Sequence, residues 1–211
     1  MRIRKILLVC GVVSSLLYIS TDILLGLSWH GYSFTSQAIS ELSAIGAPTR
    51  PLWIAMTFLY SPLLVAFGIG VLKAAEKKRS LRFTGILLII WGLLGFVWLF
   101  FPMHMRGEIG SVTDTMHLVM SGVTVLLMIL FIGIGSAANG KWFRIYSILT
   151  ILAMLVFGAL VGKMAPQVAA QLPTPWMGVM ERVSVYAPMF WVIVLATTLL
   201  KIQSKDTKPQ E

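Results

Sequence analysis

Two histidines, two carboxylates and an arginine share one short polar window, His104, Arg106, Glu108, Asp114 and His117, with long apolar runs on either side. Asp114 and His117 are three residues apart at the start of an apolar run. On a helix this spacing sets their side chains on one face, about one turn apart. A carboxylate there can orient an imidazole as an acid–base pair, which makes Asp114 and His117 the candidate catalytic residues. The same two side chains with His104, and His30 as a further nitrogen, form a candidate metal set of His104, Asp114 and His117. Nitrogen and oxygen donors without thiolates suit zinc. Asp114 also has a simpler use, stabilising a helix N-terminus through the macrodipole, and no HxxxH or HExxH pattern is present.

Two further groups of residues carry chemistry. Ser40 and Glu41 supply a nucleophile and a base by type, but they are sequence neighbours and no GxSxG elbow surrounds Ser40. A serine hydrolase would need His104 or His117 to reach Ser40 from another loop. Glu181 and Arg182 project about 100° apart if helical, so each requires an opposite charge from another element. The candidates are Asp22 or Asp114 for Arg182, and Arg106 or Lys163 for Glu181.

The elements that must position these groups are membrane helices. The chain has 211 residues, 57% of them hydrophobic and only 12% charged, with a net charge of +9 and a mean hydropathy of +0.86. Soluble domains carry about twice that share of charge. The basic residues flank apolar runs and do not interleave with aromatics on a soluble surface, so nucleic acid is not the expected partner; membrane lipid is. Cys10, the only cysteine, excludes an intramolecular disulfide and a CxxC pair.

Six segments, about 6–27, 52–73, 83–102, 116–138, 145–164 and 176–200, are long enough to cross the hydrocarbon layer as helices. The first is read as a membrane helix and not as a cleaved signal, because its apolar run is long and no small-residue cleavage site follows. The fold class is therefore all-α, a polytopic transmembrane bundle of six helices. Residues 1–202 form a single membrane domain and 203–211 a polar tail.

Lys and Arg concentrate at the N-terminus (Arg2, Arg4, Lys5), in the loop 73–82, at Lys141 and Arg144, and in the tail (Lys201, Lys205, Lys208). By the positive-inside rule both termini are cytoplasmic. Asp22, Glu41, Glu108, Asp114, Glu181 and all 3 histidines then lie on or near the opposite face. On that face Ser36 to Ile45 reads as a short helix with Ser36 as N-cap and Gly46 with Pro48 as its stop; it is expected flat on the membrane or folded over the bundle mouth. Residues 166–175 read as a similar lid, opened by Pro166 and ended by Pro173 and Pro175. Gly158 with Gly162, and Gly92 with Gly95, mark close helix packing. Pro62 and Pro188 mark kinks.

The segments Ser36 to Arg50, Phe101 to Gly107 with Thr113 to His117, and Leu172 to Gly178 running into Glu181-Arg182 together resemble a bacterial family known as domain of unknown function 998. The likeness spans nearly the whole chain. It implies a six-helix bacterial inner-membrane protein and supplies no reaction. Its motif residues, Ser40, Glu41, Gly46, Pro48, Pro102, His104, Arg106, Asp114, His117, Glu181 and Arg182, are those the charge distribution assigns to the outer face. The expected function is a polar extracytoplasmic pocket for a lipid headgroup or other amphipathic ligand, with Ser40, Glu41, His104, Arg106, Glu181 and Arg182 as binding residues and the two arginines holding an anionic group. The alternative is a membrane-embedded hydrolase or transferase, metal-dependent in one version, acting on a lipid of the outer leaflet. A proton-coupled transporter is disfavoured, because the cytoplasmic halves of these helices hold almost no ionisable residues.

Overall fold

Residues 2–205 are described in a computed structural model. Six helices are long and apolar enough to cross a membrane: α1 (Arg2–Ser28), α2 (Arg50–Ala74), α3 (Arg79–Val97), α4 (Val112–Gly135), α5 (Gly140–Gly162) and α7 (Met177–Lys205), with a short α6 (Ala165–Ala169) before the last. Most start earlier than the apolar runs do. Arg2, Arg50 and Arg79 sit in first turns; Arg and Lys are good helix formers and continue each helix beyond its hydrocarbon section. The helix α7 continues through 203–205 into the polar tail 203–211, of which 206–211 lie outside the described residues.

Neighbouring helices in sequence pack on each other from α1 to α4, α5 packs on α7, and α7 closes back onto α1. Gly92 and Gly95 of α3 bear on Val65 and Ser61 of α2, where an added Cβ would collide. Gly158 faces Ser184 of α7, whereas Gly162 faces open space. The GxxxG spacing on α5 therefore serves bundle packing at one of its two glycines. Pro62 and Pro188 lie inside α2 and α7 without ending them.

A run of aromatic rings crosses the bundle and touches all six spanning helices. It passes from Trp53 to Tyr18 (5.6 Å between centroids), Tyr60 (5.4 Å), Trp91 (6.3 Å), Phe131 (5.1 Å), Trp191 (5.6 Å) and Phe143 (5.6 Å). Trp191 is wholly buried, and its indole Nε1 donates to Ser147 Oγ at 2.8 Å. An indole N–H in an apolar interior needs such an acceptor. Ser147→Ala is expected to cost about 1–3 kcal/mol, the range for orphaning a buried donor; thermal unfolding of the purified protein in detergent checks this.

Three connecting segments, 29–49, 98–111 and 163–176, meet at one end of the bundle and are laced together by backbone hydrogen bonds. Ile45 N donates to Met103 O (2.8 Å) and Gly107 N to Val168 O (3.4 Å), and Gly178 N, at the start of α7, donates to Thr35 O (3.0 Å). Beneath them Ala38, Ala44, Ala47, Met103, Val168 and Met177 form a second, smaller apolar core. This burial explains why the first segment folds over the bundle mouth. Its helix is a single 3₁₀ stretch, Ile39–Ser43, starting after Ala38 and not at Ser36. The Glu41 carboxylate turns back to accept from Ala38 N at 2.8 Å. Gly46, at φ +93, makes the turn beyond it, a conformation that a side chain disfavours. In the third segment Pro166 lies in the first turn of α6, as expected, but the helix ends at Ala169 and 170–175 run as loop.

Candidate functional site

Three acid–base pairs hold this cap, two of them joining elements far apart in sequence and the third closing the 98–111 segment onto the start of α4. The deepest is Asp22 with Arg182. Asp22 is fully buried and takes two parallel bonds from Arg182, Nε to Oδ2 and Nη2 to Oδ1, both 2.9 Å; Tyr186 donates its hydroxyl to the same carboxylate. Arg182 Nη2 also donates to Tyr32 Oη (2.9 Å), and Nη1 reaches the carbonyls of Phe34 (3.0 Å), Gly178 (3.1 Å) and Gln37 (3.3 Å). A guanidinium has five N–H donors, and these partners use them all. Arg182 is therefore spent on ties within the fold, with its charge over the Phe34 ring, 4.7 Å from the centroid. Tyr32 passes its own hydrogen to Ala38 O (2.8 Å), and burial pushes its phenol well above the ordinary range. Gly178 has no room for a Cβ, because the carbonyls of Phe34 and Gln37 lie against its Cα.

The second pair is Glu41 with Arg106. Glu41 is fully buried and accepts from Arg106 Nε (2.7 Å) and Nη2 (2.8 Å), from Ala38 N (2.8 Å) and from Gln37 Nε2 (3.2 Å). Arg106 Nη2 also donates to Ser36 O (2.8 Å), which Thr174 Oγ1 reaches as well at 2.7 Å. Its own carbonyl accepts from Gln171 Nε2 at 2.8 Å. In contrast to Arg182, Arg106 bonds only through Nε and Nη2, so the Nη1 donors are not committed within the described residues. Arg106 lines a shallow groove of about 380 Å³ between Ser33, Ser36 and Gln37 on one side and 171–175 on the other.

The third pair is Asp114 with His104. Asp114 accepts from the backbone N–H groups of His104 (2.7 Å), Ser111 (2.9 Å) and Gly110 (3.0 Å), from Ser111 Oγ (2.8 Å), and from His104 Nδ1 (3.1 Å). Ser111 is the N-cap of α4, and its Oγ accepts from Asp114 N, completing a reciprocal capping box. The carboxylate fixes the proton on Nδ1 of His104.

The site residues expected from the sequence are thus brought together in part. His104 and Asp114 meet, but His117 does not join them. Its Nδ1 is 2.9 Å from Phe101 O, and its ring lies edge-on to Trp98. The candidate catalytic pair Asp114–His117 is not hydrogen-bonded, because Asp114 is occupied by His104 and the α4 cap. Nor do His104, Asp114 and His117 converge: no group of three His, Cys, Asp or Glu side chains among the described residues could hold a metal ion. His30 is exposed just beyond α1. Ser40 is half-buried, and no imidazole reaches it. Of the expected pairings, Arg182 with Asp22 is formed. Glu181 meets neither Arg106 nor Lys163; its carboxylate accepts from Ile39 N and so tethers the 3₁₀ turn to α7.

Several residues of the site had no place among the expected ones: Tyr32, Gln37, Ser111, Gln171, Thr174 and Tyr186. Ser111 was the readable one, since Ser-x-x-Asp ahead of an apolar run is a helix-start signature. No curated protein and no solved structure matches the chain. The family model described as Protein of unknown function (DUF998) matches residues 12–198, nearly the whole bundle and all three pairs of the cap, and the chain belongs to that family.

Proposed function

We propose that the capped end of the bundle binds an amphipathic ligand by its anionic headgroup, with Arg106 as the contact. The observation that carries this reading is the difference between the two half-buried arginines. Arg182 has every donor used inside the fold, whereas Arg106 is held in place by Glu41 through Nε and Nη2 while lining the groove. A guanidinium fixed in this way offers Nη1 to a phosphate or carboxylate oxygen at little cost in side-chain ordering. The positive-inside distribution supports an extracytoplasmic cap, and the family resemblance supports the inner membrane of a bacterium; a lipid of the outer leaflet then has its headgroup at the level of the groove.

Arg106→Lys is the discriminating substitution. Lysine keeps a charge for Glu41 but loses the fork. Titration of the purified full chain with short-chain phosphatidylglycerol in neutral detergent is expected to show roughly tenfold weaker binding for this variant, the equivalent of one charge-assisted hydrogen bond. Equal affinity of the two proteins would remove Arg106 from the role.

A second reading, a lipid hydrolase or transferase, is favoured by one observation. Asp114 holds His104 through Nδ1, and the His104 side chain is 25% exposed, so Nε2 is left to act as a base. Incubation of the purified protein with labelled phospholipids tests it: turnover abolished by His104→Gln establishes this reading, and no turnover by the native chain removes it.

A further inference from the structure

A second groove, of about 430 Å³, runs down the outside of α7 below the cap, lined by Phe34, Val183, Ala187 and Phe190 together with Arg182 and Tyr186. Two of these are polar residues, yet no polar atom faces the groove. The ion pair is the reason. Arg182 turns its guanidinium inward to Asp22, and Tyr186 does the same with its hydroxyl, so only the methylenes of the one and the ring of the other form the wall. Phe34 is held at the top of the groove under the guanidinium. The buried charges thereby leave a wholly apolar groove on the surface of the bundle.

Its surroundings identify what fills it. The lining positions from Val179 to Phe190 occupy the cap-proximal part of a helix apolar enough to span a membrane, and at 1.5 Å per residue they extend over about 16 Å. In a bilayer that depth is hydrocarbon. The two grooves also lie on either side of one stretch of chain: Ser33, Ser36 and Gln37 face the outer groove, and Phe34 faces the one on α7. A molecule with its polar group at Arg106 and an apolar tail crossing this stretch would occupy both.

We infer that the groove along α7 is an acyl-chain site, and that the ligand of the cap is a membrane lipid held by headgroup and tail together. The inference rests on the headgroup reading of the outer groove and takes it to a ligand class: a lipid of the cap-side leaflet with at least one extended chain. It differs from general lipid contact in that the tail lies in one preformed channel. Leu149 on α5, at 58% exposure, lines neither groove.

The test is native mass spectrometry of the full chain released from detergent, after incubation with phosphatidylglycerol or with diacylglycerol of the same acyl chains. Three variants are compared: Ala187→Trp, which fills the α7 groove; Leu149→Trp, which adds the same ring on α5; and Arg106→Lys. Filling the groove removes the apolar burial of the tail, so retention of both lipids is expected to fall by tenfold or more. Leu149→Trp is expected to change neither, and Arg106→Lys to weaken phosphatidylglycerol alone. If Ala187→Trp does not give monodisperse protein, Val183→Phe narrows the same channel and carries the comparison.

Unchanged retention of both lipids in the groove-filling variant overturns the acyl site, even where Arg106→Lys still weakens phosphatidylglycerol; the headgroup reading then stands alone. Loss of both lipids on filling the groove, with no effect of Arg106→Lys, supports the acyl site and overturns the headgroup contact. An equal loss in Leu149→Trp and Ala187→Trp also overturns the acyl site, since retention would then reflect the general lipid-facing surface.

Discussion

Asp22→Leu is expected to destabilise the protein by about 3–5 kcal/mol, the range for removing one partner of a buried ion pair. The carboxylate is fully buried and is the only anion among the described residues bonded to Arg182, whose side chain is 12% exposed. Without it the guanidinium charge stays in an apolar region with carbonyl and phenol partners alone, and the Tyr186 hydroxyl loses its acceptor. The double variant Asp22→Leu with Arg182→Met separates this cost from the net worth of the pair. An apolar replacement of both partners is often neutral, so the bundle is expected to recover most of the loss. The cap is not, because Arg182 also ties the carbonyls of Phe34 and Gln37 to α7. Thermal unfolding of the three proteins in the same detergent provides the comparison; an Asp22→Leu variant within about 1 kcal/mol of the native protein would contradict a buried, charged pair.

Glu41→Gln has the next largest expected effect, about 2–4 kcal/mol. Glu41 satisfies two guanidinium nitrogens, one backbone N–H and one side-chain amide. A glutamine has one acceptor oxygen and turns an NH₂ group toward donors, so some of these bonds must break. The cost is lower than at Asp22 because Arg106 retains 20% exposure. The damage is also local. Hydrogen exchange should quicken in 36–45 and 103–107, which Glu41 and Arg106 hold together, while α4 and α5 keep their native protection. Uniform exchange across the protein, or none gained in the cap, would show that the pair does not organise these loops.

Much of this fold is legible in the sequence because membranes restrict it. Apolar runs of about 20 residues have few alternatives to spanning helices, and the positions of the six follow directly. Their ends do not, since the arginines that open α1, α2 and α3 are read as flanks by hydropathy and as first turns by backbone geometry. The cap is harder to read for a different reason. Charge balance requires Arg182 to find an acid on another helix, and Asp22 was among the candidates. Nothing in the spacing, however, selects Glu41 over Glu181 for Arg106, 65 residues away. The choice is made by how the 29–49 segment buries Ala38, Ile39 and Leu42, and that burial draws Glu41 inward.

The same physics reassigns Asp114. Its proximity to His117 in sequence suggested a pair, but capping the helix turns its carboxylate back toward Gly110 and Ser111, where it meets His104. Such a turn is favoured whenever an acid sits at the third position after a serine N-cap. The dyad at the cap is therefore His104–Asp114. The uncommitted side of Arg106 becomes visible only once the partners of both arginines are counted.

A density map of the protein in nanodiscs containing phosphatidylglycerol tests the headgroup site most directly. A phosphate is expected within hydrogen-bonding distance of Arg106 Nη1, between 33–37 and 171–175, with one acyl chain continuing past Phe34 along α7. Ordered lipid bound elsewhere on the bundle, with only water beside Arg106, would contradict it.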